Sequence, residues 1–282
     1  MNTLLARYGL KWDPFSQDVP SEALLETPAM DAFCWRVEQI LLREGGFALV
    51  SGDPGLGKSA TLRLLEARLA RGGDAKLGVL THASASVSSF YRELGDLFGV
   101  ELTPRNRWGG FKALRERWHE HIESTLLRPV LLVDEAQETN PKVLTELRIL
   151  SSTRLDSRVI LCVVLAGDRR LQDKLRSEEL LALGSRLRVR LALAPAERDD
   201  LLALLDHRLE AAGGQALLTP GLKETLVERC AGNPRILLAT SRELLLEAAR
   251  RERDQLDEKL FLEVFGAPPE TPARGRRRRR RA

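Results

Sequence analysis

Residues 52–59 read Gly52-Asp53-Pro54-Gly55-Leu56-Gly57-Lys58-Ser59. Glycine at the first and sixth positions, followed at once by lysine and a hydroxyl residue, completes the P-loop pattern. Anion binding explains the spacing. The glycines let successive backbone N–H groups turn inward, and a helix starting at the loop's end adds its positive N-terminal pole. Lys58 is placed to reach the β- and γ-phosphates of ATP, and Ser59 to ligate magnesium through its hydroxyl. The context agrees: 47–51 is an apolar strand, and 58–71 is a helix that stops at Gly72-Gly73. Gly52 to Ser59, with Ala60 behind, is therefore the candidate segment for binding ATP with Mg2+.

A second element lies downstream. Pro129-Val-Leu-Leu-Val-Asp134-Glu135 is an apolar strand ending in two acids. Asp134 is the candidate metal-side carboxylate, and Glu135 the candidate that orients and polarises the attacking water. Further strands are expected at 76–82, 159–166 and 187–193, with helices at 28–43, 86–99 and 109–127. Strands alternating with helices predict an α/β fold, a five-stranded parallel sheet flanked by helices. After Pro195 the pattern changes to helices alone, near 196–212, 220–231, 235–251 and 256–265, punctuated by Gly213-Gly214 and Gly232-Asn-Pro234. The expected organisation is an N-terminal segment (1–46), an ATPase core (47–194), a small all-α lid domain (195–265) and a disordered arginine-rich tail (266–282).

Charge and composition narrow the classes. Hydrophobic residues make up 43% of the 282, which is globular composition. No apolar run approaches the ~18 residues of a membrane span, and no leader is visible at the N-terminus, so a cytoplasmic protein is expected. Cys34, Cys162 and Cys230 are far apart in apolar contexts, which is neither a metal pattern nor a disulfide framework. The net charge of +4 belongs to the tail: seven arginines and one acid lie beyond Phe265, leaving 37 basic against 39 acidic residues before it. Such a block repels itself, and either contacts nucleic-acid phosphates or serves only as a solubilising end.

The order of P-loop, Asp134-Glu135, a fourth strand, an isolated arginine and then a helical region with Gly232-Asn-Pro-Arg235 resembles the AAA+ ATPases over roughly residues 8–265. The resemblance implies homo-oligomers, rings or filaments. In these, one subunit's arginine finger and its neighbour's lid arginine approach the same γ-phosphate. Arg186, just before strand five, stands where the finger is expected, and Arg235 where the lid arginine is. Guanidinium groups there complete the charge around a transferring phosphoryl group. One position departs from the family. The fourth strand normally ends in a neutral polar residue that helps place the water; here it ends at Asp168. Asp168 either acts as that first sensor or caps the helix that begins at Arg169, and slow hydrolysis is the expectation.

A narrower resemblance follows. Tyr8-Gly-Leu-Lys-Trp-Asp-Pro-Phe15, Asp134-Glu-Ala-Gln137 and Val164-Leu-Ala-Gly167 are similar to bacterial ATPases of the TniB/TnsC and ExeA kind. TniB and TnsC regulate transposition: they assemble on double-stranded DNA with ATP and recruit a transposase. ExeA works in secretion. With no membrane segment in the sequence, the expectation leans to DNA, bound largely without sequence preference, and to a transposase partner. Arg105, Arg107 and Lys112, with Trp108 among them, suit phosphate contact and stacking. A secretion-associated ATPase, a replication or clamp-loading helper and a non-catalytic nucleotide switch are the alternatives.

Overall fold

The computed structural model describes residues 2–80, 86–101, 107–153 and 158–266. Its main sheet holds β1 (Gly46–Ser51), β2 (Leu77–Leu80), β3 (Val130–Val133), β4 (Cys162–Gly167) and β5 (Leu187–Ala192). Their spatial order is β2-β3-β4-β1-β5. Every neighbouring pair is parallel. Strands β1 and β4 are buried at every position, which explains their unbroken apolar sequence. Alternate residues enter opposite cores. Phe47, Leu49, Leu131 and Leu165 face one cluster, and Ala48, Val50, Leu132 and Val164 the other.

Helix α1 spans Asn2–Tyr8, and α2 spans Pro28–Arg36 and continues through a π turn at Val37–Leu41 to Glu44. With α3 (Lys58–Gly72), α2 covers one face of the sheet. The other face carries α4 (Val87–Phe98), α5 (Arg107–Thr125), α6 (Pro141–Ser151), α7 (Arg169–Arg176) and the short α8 (Leu181–Gly184). Trp118 of α5 is 1% exposed and meets Phe98 of α4 edge-on, with centroids 5.3 Å apart. That burial helps hold the α4–α5 pair on the sheet.

Helices α9 (Arg198–Ala212), α10 (Pro220–Arg229), α11 (Pro234–Arg250) and α12 (Glu258–Phe265) surround a third core. Their starts follow helix-capping chemistry: Thr219 and Asn233 cap α10 and α11, each with proline at the first position, and Asp257 caps α12.

Three features differ from the expected pattern. The apolar run 159–166 is two elements. Arg158–Val159 pairs antiparallel with Ser152–Thr153, and β4 begins only at Cys162. Buried Ile160 and Leu161 join them, so hydropathy shows no break. The N-terminal segment also has a helix of its own and joins both cores. Leu10 and Phe15 enter the helical core, and Val19, Ala23 and Leu24 the sheet core. Tyr8 Oη donates to Arg253 O at 2.8 Å, and the backbone N–H of Lys11 to Ala212 O at 3.0 Å. Finally, the helix expected from 109 begins at Arg107 and takes in Trp108, which is 64% exposed. Arg105, His82 and 267–282, including the arginine block, lie outside the described residues.

Candidate nucleotide-binding site

Three strands deliver the site at their C-terminal ends: Gly52 follows β1, Asp134 follows β3 and Asp168 follows β4. The sheet aligns them. Ser51 pairs with Gly167, and Val133 with Leu165. This crevice, beside the point where strand order reverses, is where open α/β sheets bind ligands.

The loop's shape comes from two glycines. Gly55 has φ 90° and Gly57 φ 103°, a region that side chains disfavour. Gly57 is the residue before α3, so the helix points its free N–H groups at the loop. Lys58 is 5% exposed. Its Nζ donates to Gly52 O at 2.9 Å and Asp53 O at 3.2 Å, inside the curl of the loop. Ser59 Oγ donates to Asp134 Oδ2 at 2.7 Å, a bond between residues 75 apart in sequence. The backbone N–H of Glu135 donates to Asp134 Oδ1 at 2.9 Å, fixing the carboxylate's plane.

These residues fit magnesium and a nucleoside triphosphate. One hydroxyl and one carboxylate are what a magnesium ion shared with phosphates takes from a protein. Among the described residues no group of three or more His, Cys, Asp or Glu forms a self-sufficient metal cage. When bound, the ion would neutralise charge on the phosphate oxygens.

The helices after Pro195 reach the same loop. A Cβ on Gly55 would lie 2.4 Å from Asn233 Oδ1 and 2.8 Å from Arg235 Cβ, so only glycine lets the two approach. Asn233 Nδ2 donates to Pro54 O at 3.1 Å, while its Oδ1 accepts from the N–H groups of Arg235 and Ile236. A second helix N-terminus, that of α11, therefore faces the phosphate loop, and exposed Arg235 stands on its first turn. Asn233 was missed in the sequence; its place before Pro234 is the signal of a cap.

Asp168 takes the capping role. Its Oδ1 accepts from the N–H of Arg170 at 2.9 Å, and Arg170 Nη2 meets Oδ2 at 2.8 Å. The Arg170 side chain holds this carboxyl below its ordinary range.

Arg186 lies elsewhere. Leu187 pairs with Phe47, so Arg186 is level with the start of β1, whereas Gly52 follows its end. Six strand steps separate those levels, about 20 Å. Arg186 Nη1 donates to Ser152 Oγ at 2.8 Å in the small hairpin before β4.

The DNA candidates form a separate group on α5. Arg107 is its first residue, and Lys112 is exposed. Trp108 stacks on Phe111, with centroids 5.4 Å apart and planes 6° apart, and Lys112 Nζ lies 5.5 Å from the Trp108 ring centre.

Known proteins agree with this architecture. An AAA domain matches residues 42–175. General secretion pathway protein A of Aeromonas hydrophila is 31% identical over 248 residues, covering 86% of this chain and 44% of that protein. The chain thus spans less than half the length of the curated relative it matches. The ORC2 protein of Aeropyrum pernix, solved with ADPNP and ADP, superposes with TM-score 0.70 at 16% identity over 89% of this chain and 70% of that one. The ORC1 protein of Aeropyrum pernix, solved in complex with DNA, gives TM-score 0.59 at 18% identity over 92% and 68%. With a P-loop after β1, Asp134-Glu135 after β3 and helices packed on the loop, the chain has the α/β fold of the AAA+ ATPases and resembles them in its motifs.

Proposed function

We propose that this chain binds ATP with magnesium, hydrolyses it slowly at sites shared between neighbouring copies, and uses the bound state to assemble on double-stranded DNA for a partner transposase. One observation carries the reading: Ser59 and Asp134, 75 residues apart, meet at 2.7 Å beside Lys58 and Glu135. Residues so distant have no local reason to converge. Together they make the phosphate, metal and water-activating ends of one site, with Glu135 as catalytic base. Arg235 completes the site from its own lid. Arg186, about 20 Å of strand away from its own loop, serves a neighbour's nucleotide instead, so assembly and hydrolysis are coupled.

DNA contact rests on the exposed α5 face, with Lys112 beside Trp108, on the arginines at 105 and 107, and on the likeness to a fold solved on DNA. Phosphate contact without base reading suits a target selector. A second reading, a secretion-associated ATPase, is favoured by the 31% identity to General secretion pathway protein A. No described helix is long and apolar enough to cross a membrane. The two readings part in one experiment: electron microscopy and gel shifts with ATP, a slow analogue or ADP. Rings or filaments on DNA with ATP or the analogue, and none with ADP, support the DNA reading. A monomer indifferent to DNA refutes it, and binding to membranes instead favours the secretion reading.

A further inference from the structure

Gln137 is 3% exposed, and both ends of its amide are engaged. Its Nε2 donates to Oε2 of Glu135. Its Oε1 accepts from the backbone N–H of Asp168 at 3.3 Å, where β4 ends. The fit against β4 is close: a Cβ on Gly167 would lie 2.6 Å from Gln137 Oε1. The backbone around it is fixed as well. Glu135 has φ 47° and ψ 40°, a left-handed conformation that strains a non-glycine residue. That turn sends the chain back under its own carboxylate. Lys174 of α7 clamps the segment from below, donating to Gln137 O and to Thr139 O.

The other polar group at the end of β4 is already committed. Both Asp168 oxygens are held by Arg170, and one also caps α7. Arg170 in turn meets Glu138 at 2.7 Å. Gln137 is therefore the neutral group that joins the ends of β3 and β4.

We infer that Gln137 is a positioning residue: its amide bridges the end of β4 to the Glu135 carboxylate and holds that carboxylate for water activation, in place of a neutral residue on β4 itself. This rests on the proposed ATPase reading. One Glu135 oxygen is taken by Gln137 and the other is left to meet a water. A carboxylate anchored at one oxygen loses the rotamers that would carry it away from the reacting atom. Buried on both sides, Gln137 acts through Glu135 and touches no substrate.

The test is a double-mutant cycle in the full chain with Gln137→Met, which keeps length and loses both hydrogen bonds, and Glu135→Gln. Steady-state hydrolysis, affinity for a fluorescent ATP analogue, melting temperature and the ATP-to-ADP ratio of nucleotide retained after turnover are measured. Gln137→Met is expected to lower kcat about tenfold or more, a fraction of what a general base contributes, with analogue affinity within about threefold. Retained nucleotide shifts toward ATP. In the Glu135→Gln background the same substitution changes the residual rate by less than about twofold, because the group it positions is gone. Equal losses in both backgrounds, an unchanged kcat, or a kcat that falls only with the folded fraction overturns the inference. If Gln137→Met does not fold, Gln137→Asn, which keeps the amide but falls short of Glu135, must show the same kcat loss and the same coupling. Hydrolysis by the wild type that Glu135→Gln abolishes, with Gln137→Met normal, sinks the inference alone. A wild type without hydrolysis sinks it together with the ATPase reading.

Discussion

The nucleotide end of the sheet and the aromatic face of α5 are built differently. At the nucleotide end, Ser59 meets Asp134 across 75 residues of chain and Asn233 meets Pro54 across 179. On α5, Trp108 meets Phe111 and Lys112, three and four positions along one helix. Long-range convergence needs the whole fold, and its partners have no local reason to be together. Contacts at i+3 and i+4 arise on any helix that carries such residues. The first arrangement therefore specifies a chemistry, while the second offers a surface whose use depends on a partner.

Substitutions can break this contrast. The largest effect is expected from Lys58→Ala. Removing a charge-assisted donor from the curl of the loop should weaken ATP binding by roughly 100-fold or more, as read by calorimetry; unchanged affinity would remove the site assignment. Next is Arg186→Ala. Hydrolysis should fall about 100-fold or more, the scale of an arginine that meets transition-state charge, while ATP affinity changes little. Equal losses of both would place Arg186 outside the role of a neighbour's finger. The smallest effect belongs to α5. Lys112→Ala should weaken DNA binding only a few-fold and lower the salt slope by about one, leaving DNA-free hydrolysis untouched. A large loss of hydrolysis there would erase the distinction between the two regions.

The parts legible in the sequence were those with a chemical reason to sit side by side in the chain. The loop needs its glycines next to Lys58, and the acids must follow an apolar strand, so both can be read from 52–59 and 129–135. Gly213-Gly214 and Gly232-Asn-Pro234 punctuate the helical region for the same reason. What escaped reading depends on contacts between distant segments. Hydropathy cannot divide 159–166, because Ile160 and Leu161 are buried at the bend just as β4 is. The reach of Leu10 and Phe15 into the helical core is a tertiary fact. Gln137 looked like part of a motif, yet its bond to the end of β4 appears only when two strands lie side by side. For Asp168 the sequence left two roles open, and Arg170, two residues on, decides the geometry in favour of the cap.

The central claim is that one chain holds half of each site, with Arg186 serving the neighbour. Mixing Arg186→Ala with Lys58→Ala tests it most directly, read as ATP hydrolysis across mixing ratios at fixed total protein. The first variant keeps a nucleotide loop and lacks the finger; the second lacks the lysine and keeps the finger. If the site is shared, each is nearly inactive alone, and mixtures hydrolyse faster than the sum of the two because one supplies Arg186 to the other's nucleotide. Rates that stay at the sum at every ratio, with an active wild type, would contradict the shared site.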